Sequence, residues 1–268
     1  MSEYVQYLHG MHVVRDGSRQ APPMVFIHGS GASGTTWVPV VPALAEHHDV
    51  VRVDLPGMGH SGAGTSYDVP TQATRVADLI DSLGVGPVTV VGHSSGGYVA
   101  TSLAEQRPEL VKAIALISTG PSPGALRPQP ARLRALTRPP LGRLVWALRS
   151  DNLIRRGIRV TCVRPVDIPN ALVAEVRGLP YQTFVTVLRH NGEYIAERSV
   201  PDRLSKLDVP VLVGFGAADP RWDPASAHEY DLLPNGRVEM LPGIGHVPML
   251  EAPETTSKLL LDFTAPGR

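Results

Sequence analysis

The sequence predicts an α/β fold in which a mostly parallel sheet is flanked by helices and a helical cap is inserted before the last two strands. Three observations predict it. Short runs of β-branched residues recur along the chain without polar alternation, which is typical of strands buried on both faces. Segments of helical period separate most of these runs, as in the crossovers of an open parallel sheet. The alternation stops between residues 121 and 200, where helical patterns dominate.

The strands set the order of the sheet. Two short strands are predicted within residues 3–15, around the turn at His9-Gly10. Six further apolar runs follow at residues 24–27, 50–54, 88–91, 113–117, 209–215 and 237–241. The first three of these six lead into glycine-containing turns, which predicts loops at that end of the strands.

Helices are predicted between the strands at residues 35–45, 71–83, 95–106, 224–233 and 253–263. The second has the clearest pattern, because Val76, Leu79, Ile80 and Leu83 recur at helical spacing and Gly84 follows as a stop signal. The first is interrupted by two prolines, which weaken a helix wherever they fall inside it.

The break in the alternation defines two regions. Residues 1–120 and 201–268 form the predicted core, and residues 121–200 form the predicted cap. The predicted cap opens with several prolines and then continues with helical patterns through residue 188. Its first helix is predicted from the apolar stripe Leu141, Leu144, Val145 and Leu148.

Composition excludes several classes of protein. The chain has 268 residues, 43% of them hydrophobic, and its 25 basic residues balance 25 acidic ones, which is unlike a disordered chain. Cys162 is the sole cysteine, so no intrachain disulfide can form. The first residues do not resemble a signal peptide and no run approaches 18 apolar residues, so we expect a cytoplasmic protein without a membrane span. The neutral balance gives no reason to expect nucleic acid as a partner.

The charge is unevenly distributed behind that balance. The predicted cap holds thirteen arginines and five acidic residues, a formal charge of +8, whereas the rest of the chain carries −8. A solvated arginine face would explain this without a partner. The alternative is attraction of an anionic substrate or an acidic carrier, because a basic surface raises the local concentration of anions.

One pentapeptide carries the clearest chemical signal. Gly92-His93-Ser94-Ser95-Gly96 fits the pattern G-x-S-x-G, directly after a predicted strand and directly before a predicted helix. The two glycines permit a sharp turn that would expose the Ser94 hydroxyl at the tip of the strand. The N-terminus of the following helix would then favour negative charge beside Ser94. We therefore predict Ser94 as a nucleophile.

A serine nucleophile needs a base, and the base needs an acid that orients it. Asp219 follows the predicted strand at 209–215, and His246 follows the one at 237–241, so both lie past the carboxyl ends of parallel strands, where ligands bind. We predict that Asp219, His246 and Ser94 meet there. Asp223, four residues further on, is the rival for the acid.

The chain resembles the α/β-hydrolases, in particular capped, esterase-like serine hydrolases. The resemblance covers nearly the whole length outside the predicted cap. It rests on the Ser94 pentapeptide, the Asp219 turn, residues 28–31 (HGSG), residues 54–61 (DLPGMGHS) and residues 245–248 (GHVP). It implies an oxyanion hole formed by the backbone N–H groups of Ser95 and Ser30. It also favours Asp219 over Asp223 as the acid, because Gly216-Ala217-Ala218-Asp219 fits the G-x-x-D turn of the family. The triad mechanism needs no organic cofactor and no metal.

The predicted activity is hydrolysis of a carboxylic ester, lactone or thioester of a small-to-medium organic substrate through an acyl-enzyme. The substrate pocket is assigned to Trp37, Trp146, Tyr181, Phe184, Trp222 and Val247. Three alternatives stay open: a C–C bond hydrolase, a cofactor-free lyase or isomerase on the same fold, and a ligand receptor without catalysis. The C–C hydrolases that the stretch at 30–34 resembles usually have Pro-Gly there and Trp after the catalytic histidine, whereas this chain has neither.

Overall fold

The computed structural model describes residues 4–128 and 139–265, and within them the strands form one mixed sheet. The strand order is β1-β2-β4-β3-β5-β6-β7-β8. The strands are β1 (Tyr4–Leu8), β2 (Met11–Asp16), β3 (Pro23–Ile27), β4 (Asp49–Val53), β5 (Val88–His93), β6 (Val111–Ile117), β7 (Val211–Gly216) and β8 (Gly236–Leu241). The pairs β1–β2 and β2–β4 are antiparallel, and all other pairs are parallel. The predicted fold class is confirmed.

The register of the parallel strands aligns their carboxyl ends. Gly92 of β5 lies beside Ile27 of β3 on one side and Leu116 of β6 on the other, and Ile117 lies beside Gly214 of β7. The loops that leave these strands therefore start from one edge of the sheet. All three predicted triad residues are in or next to these loops.

Helices cover the sheet outside the predicted cap. They are α1 (Val41–Leu44), α2 (Val69–Leu83), α3 (Gly96–Gln106), α8 (Val200–Leu204), α9 (Pro248–Glu251) and α10 (Pro253–Thr264). The Asp68 carboxylate accepts from the Thr71 N–H over 2.8 Å at the start of α2, and Gly84 ends it with a φ of 62°. This helix matches the prediction closely because its caps and its apolar stripe agree.

Two of the predicted helices are largely 3₁₀. Residues Gly34–Val40 form a 3₁₀ helix that continues into α1, and Pro224–Leu232 form another. In the first, Pro39 lies inside the segment and lacks the N–H that an α-helix needs. In the second, Pro234 disfavours the α conformation at Leu233, so the helix ends at Leu232.

The core forms two layers, one on each face of the sheet. Along β3, Val25 and Ile27 belong to the cluster beneath α2 and α3, whereas Met24 and Phe26 belong to the cluster that includes α10. This alternation is the two-residue period of a strand, and both sets are fully buried. A strand covered on both faces carries apolar residues at every position, which is why the sequence pattern lacked polar alternation.

The described part of the predicted cap is helical. It contains α4 (Leu141–Ala147), α5 (Asp151–Arg159), α6 (Asn170–Gly178) and α7 (Tyr181–Glu197). The predicted first helix is present, yet Leu141, Leu144 and Leu148 are 44%, 56% and 74% exposed. Arg132, Arg134 and Arg138 lie outside the described residues. None of the helices formed by the described residues has the length and apolarity needed to cross a membrane.

Candidate active site

Ser94 lies in a sharp turn between β5 and α3. Its φ is 52°, a conformation that few residues other than glycine adopt, and its N–H donates to the Ile117 carbonyl over 2.8 Å. A Cβ at Gly92 would lie 2.5 Å from the Gly97 nitrogen, and one at Gly96 would lie 2.4 Å from the Ile27 carbonyl oxygen. Both glycines of the pentapeptide are therefore required by close backbone approach.

Two hydrogen bonds join Ser94 to Asp219 through a histidine. Ser94 Oγ lies 3.1 Å from His246 Nε2, and His246 Nδ1 lies 2.8 Å from Asp219 Oδ2. In the productive tautomer the Ser94 hydroxyl donates to Nε2, and the Nδ1 hydrogen is donated to the carboxylate. Asp219 is fully buried, while Ser94 and His246 are 7% and 5% exposed. The arrangement can take a proton from Ser94 and stabilise the resulting imidazolium.

The two candidate aspartates have different partners. The second oxygen of Asp219 accepts from the N–H groups of Arg221 and Trp222 over 2.7 and 3.1 Å, which orients the first oxygen toward His246. Asp223 instead caps the 3₁₀ helix at 224–232 by accepting from the Ala225 N–H. The structure brings Asp219, and not Asp223, to His246.

His93 supports the loop that carries His246. His93 Nε2 donates to the His246 carbonyl over 2.8 Å. Burial, together with the nearby His246, lowers the pKa of His93 to about 3, so the ring is neutral. Trp37 packs edge-on against the same ring, with the centroids 6.2 Å apart. His93 is therefore a buried structural donor beneath the triad.

Glu251 of α9 holds the His246 loop from the other side, and the sequence analysis did not identify it. Its carboxylate accepts from the N–H groups of Gly245 and Val247, which flank His246, over 3.0–3.2 Å. It also accepts from Val163 and Arg164 of the predicted cap over 2.8 and 3.1 Å. The only signal in the sequence is an acidic residue in an otherwise apolar segment just after His246.

The predicted oxyanion residues lie side by side at the turn. Ser30 Oγ is 2.8 Å from Ser95 Oγ, and Asn191 Nδ2 of α7 donates to Ser30 Oγ over 2.9 Å. Within the described part of the chain, neither the Ser30 nor the Ser95 backbone N–H donates to another residue. Two such N–H groups beside a serine nucleophile can stabilise an oxyanion. Asn191 was not predicted, because nothing in its helix distinguishes it from a solvated amide.

The predicted pocket residues fall into two groups. Trp146, Tyr181 and Phe184 form an aromatic cluster in the predicted cap, where Trp146 and Phe184 stack at 4.6 Å. Phe184 reaches the loop formed by residues 28–31, the predicted oxyanion loop, because a Cβ on Gly31 would lie 3.0 Å from its ring. Such a cluster can form an apolar wall near Ser94.

The other three predicted pocket residues are buried. Trp37 is 0% exposed and packs against Phe26, so it belongs to the core beneath the site and offers no surface to a ligand. Val247 belongs to the same core cluster. Trp222 is 4% exposed and its ring packs over Gly120, where a Cβ would clash at 2.4 Å. The sequence could not separate these packing residues from the pocket wall, because both are aromatic or apolar.

Among the described residues, one group of ligand-type side chains is close enough to share a metal ion: His12, Asp54 and His60. Asp54 already accepts from His12 Nδ1 and from the N–H groups of His60 and Gly34, over 2.7–2.9 Å. Burial alone would raise the pKa of Asp54, but these hydrogen bonds outweigh it and hold the pKa to about 2. The hydrogen bonds of this group therefore hold the loop after β4 in place.

A second buried carboxylate joins the predicted cap to the core. Glu175 of α6 accepts from the Ser33 hydroxyl and from the Thr35 hydroxyl, the latter over 2.7 Å. Its Oε1 also lies 3.5 Å from His60 Nδ1. Ser33 and Thr35 follow the loop that carries Ser30, so this contact and the one from Asn191 both tie the predicted cap to that loop.

The arginines of the predicted cap differ in what they bind. Arg149 and Arg155 donate to backbone carbonyls within the predicted cap, and Arg164 donates to the Gly243 carbonyl of the core. Four other arginines are exposed and their side chains donate to no described residue: Arg127, Arg143, Arg156 and Arg159.

Comparison with known proteins agrees with this fold. The model of the family described as the alpha/beta hydrolase family matches residues 24–259. The chain is 28% identical over 240 residues to a pimeloyl-[acyl-carrier protein] methyl ester esterase of Neisseria meningitidis, covering 88% of this chain and 91% of the relative. It is 26% identical over 272 residues, 94% of this chain and 93% of the relative, to a Bacillus subtilis protein provisionally named 2-succinyl-6-hydroxy-2,4-cyclohexadiene-1-carboxylate synthase. A solved bacterial membrane phospholipase A superposes with a TM-score of 0.79 at 27% identity, covering 98% and 85% of the two chains.

Proposed function

The chain belongs to the alpha/beta hydrolase family and is a hydrolase, and from this premise we propose that it cleaves carboxylic esters through a Ser94–His246–Asp219 triad. Its esterase relative supports ester hydrolysis. The observation that carries the proposal is the unbroken hydrogen-bond chain from the Ser94 hydroxyl through His246 to the buried Asp219.

The first half of the reaction forms an acyl-enzyme. His246 Nε2 takes the proton of Ser94 while Oγ attacks the substrate carbonyl carbon. The carbonyl oxygen becomes an oxyanion and accepts hydrogen bonds from the N–H groups of Ser30 and Ser95. The intermediate then collapses, the imidazolium protonates the leaving alcohol, and the alcohol departs. Asp219 keeps His246 in the tautomer that this sequence of proton transfers requires.

The second half releases the acid. A water molecule takes the place of the alcohol and gives a proton to His246 Nε2 as it attacks the acyl carbon. The same two N–H groups stabilise the second oxyanion. Collapse of this intermediate returns the proton to Ser94 Oγ and frees the carboxylic acid. Each step uses only groups of the chain, the substrate and water.

The substrate pocket is proposed to lie between the predicted cap and the carboxyl edge of the sheet. Trp146, Tyr181 and Phe184 supply an apolar wall there. Residues 121–200 would then act as the lid of the site, on a core made of residues 1–120 and 201–268. An acyl thioester or a lactone reacts by the same steps as an ester, so both belong to the substrate range that we propose.

An acidic carrier is the partner that we propose for the basic face. This basic face consists of Arg127, Arg143, Arg156 and Arg159, whose exposed side chains donate to no described residue and would attract an anionic acyl donor. The relative from Neisseria meningitidis is named for a substrate joined to an acyl carrier protein, which supports the same class of partner.

Ser94→Ala is the decisive variant. It removes the nucleophile with little change in volume, so the fold should stay intact while turnover of acyl esters, lactones and acyl thioesters is lost. A serine-directed fluorophosphonate should label the native chain and fail to label the variant. Full ester turnover by Ser94→Ala would end the proposal, and failure of the native chain to label would favour a receptor without catalysis.

A cofactor-free lyase is the second candidate, since one relative is named as a synthase of a cyclohexadiene carboxylate. Such a reaction would use the same base without an acyl-enzyme. Quenched turnover separates the two candidates: an ester hydrolase accumulates a covalent adduct of the acyl mass on Ser94, whereas a lyase does not. The same quenched-turnover experiment, with a vinylogous diketone as the substrate, tests the C–C hydrolase.

A further inference from the structure

A line of polar contacts runs from the predicted cap to the turn that carries Ser94. Asn191 lies in α7 and is only 6% exposed. Its Nδ2 donates to Ser30 Oγ over 2.9 Å, and Ser30 Oγ lies 2.8 Å from Ser95 Oγ. Three residues that are far apart in the sequence therefore meet beside the nucleophile.

The Asn191 amide decides which atoms donate and which accept along this line of contacts. An amide nitrogen only donates, so Ser30 Oγ accepts from Asn191. The Ser30 hydroxyl proton can then be donated to Ser95 Oγ, which leaves each oxygen with a partner. Hydrogen bonds in such a chain polarise one another, so the loss of the first weakens the second.

The loop around Ser30 needs such a tether. Ser30 stands between Gly29 and Gly31, and Gly31 has a φ of 72°, so the backbone on both sides of Ser30 has unusual conformational freedom. A side chain that is bonded to two partners restricts its own rotamer and, through it, the direction of its backbone N–H. That N–H is the donor proposed for the oxyanion.

Phe184 makes the matching apolar contact from the same helix. It lies seven residues before Asn191, two helical turns away on the same face of α7, and its ring lies against Gly31. One face of α7 therefore contacts the oxyanion loop twice, once through an aromatic ring and once through an amide.

We propose that Asn191 is a positioning residue that completes the oxyanion hole by tethering Ser30. The inference rests on the proposed function. When α7 packs on the core, the Asn191 side chain also aligns the Ser30 N–H. The site therefore reaches full activity only when the predicted cap is in place. A substrate that holds α7 away from the loop would be bound but turned over slowly.

A double-mutant cycle tests the tether. Asn191→Leu removes the donor at similar volume, and Ser30→Ala removes the hydroxyl but keeps the backbone N–H. Each should lower kcat by about three- to tenfold, with KM changed less than about twofold, because one hydrogen bond that matters in the transition state is lost. The kcat of the double variant should be at most about twofold lower than the kcat of either single variant, since both changes break the same chain of hydrogen bonds.

Gln182→Leu is the matched control. Gln182 is another amide on α7, is exposed and donates to Thr186 of its own helix, so its loss should leave kcat unchanged. Asn191→Gln keeps a donor on a longer side chain and should recover part of the rate that Asn191→Leu loses. The rate of fluorophosphonate labelling should follow kcat across the set, because the adduct places a phosphonyl oxygen in the same hole.

Two results would overturn the tether. One is a folded Asn191→Leu protein with native kcat, and the other is a double variant whose loss is the product of the two single losses. If Asn191→Leu does not fold, Ser30→Ala and Asn191→Gln carry the test, and native kcat in both would refute it. Failure of the proposed function is distinguishable, because then the native chain itself neither hydrolyses esters nor labels.

Discussion

Ser94 occupies a strained backbone position, and the residues around it account for that strain. Its φ of 52° costs conformational energy that the surrounding contacts must offset, including the bond from its N–H to Ile117. The same conformation directs the hydroxyl away from the sheet and toward His246. The conformation of Ser94 is thus made possible by the close backbone approach at Gly92 and Gly96.

Asp219→Asn tests the residue that orients His246. An amide group at this position can donate to Nδ1 and so favours the wrong tautomer, and we expect kcat to fall by about 10⁴-fold with the fold intact. Asp223→Asn is the matched control, because Asp223 only caps a 3₁₀ helix, and it should keep native turnover. Equal losses in the two variants, measured with one activated ester, would contradict the assignment of Asp219.

His93→Gln tests the buried histidine through the pH dependence of stability. The pKa of His93 is lowered from 6.5 to about 3, so between these values the unfolded chain binds a proton that the folded chain does not. Folding stability therefore rises with pH across this window and is lost as pH falls, by about 1.4 kcal/mol per pH unit for this one group.

The glutamine side chain of this variant would keep a donor for the His246 carbonyl but cannot titrate. In urea unfolding between pH 4.5 and 7.5, the stability of the native chain should therefore fall more steeply with falling pH than that of His93→Gln. Above pH 6.5 the difference between the two should be constant. Parallel curves over the whole range would show that His93 does not titrate on unfolding as inferred.

At the scale of elements, the position of His246 depends on the contacts that hold its loop to the sheet. The loop of His246 follows β8, and it is fastened by His93 beneath and by the Thr161 carbonyl, which accepts from the His246 N–H over 2.9 Å. Glu251 adds four further N–H contacts from two segments. Residues 161–164 of the predicted cap therefore help to hold the loop that carries His246.

Glu251→Gln tests this fastening. The replacement keeps the volume but leaves one acceptor where there were two, so buried N–H groups lose their partners. We expect a loss of about 2–3 kcal/mol in unfolding free energy and a lower kcat, because His246 is held less firmly. Glu254→Gln, an exposed acidic residue in α10, is the control and should change neither quantity. Native stability of Glu251→Gln by denaturant titration would contradict this role.

At the scale of the whole molecule, the neutral total conceals a dipolar arrangement. The predicted cap carries a formal +8 and the rest of the chain −8. Some arginines of the predicted cap, such as Arg149 and Arg164, donate to backbone carbonyls and so contribute to packing. The exposed side chains of Arg127, Arg143, Arg156 and Arg159 donate to no described residue, and the proposed attraction of anions depends on them.

Salt dependence measures that attraction. For an anionic acyl thioester, kcat/KM should fall on the order of threefold between low salt and about 0.3 M salt, because screening shortens the range of the field. A neutral ester of the same acyl group should give a flat profile. Replacing Arg156 and Arg159 with serine should reduce the salt slope for the anionic substrate alone. A flat profile for both substrates in the native chain would exclude steering by this face.

Much of the architecture was predictable from local patterns. Strands buried on both faces have a distinct composition, the caps of α2 agree with its apolar stripe, and the Ser94 pentapeptide carries its own strand–turn–helix context. Asp219 and His246 were predicted because residues that follow parallel strands must reach the same edge of the sheet. These features depend on a few neighbouring residues, so the sequence alone determined them.

Only the tertiary structure decided the contacts between distant segments. Asn191, Glu251 and Glu175 have no local pattern that separates them from solvated polar residues, since their partners across the cap boundary lie 161, 88 and 142 positions away. Trp37 was expected in the pocket and lies in the core instead, because an aromatic side chain suits either environment. The sequence was enough to predict Ser94, Asp219 and His246 as a triad, whereas folding decided which distant contacts hold these residues, the Ser30 loop and the predicted cap together, because long-range packing is a property of the whole chain.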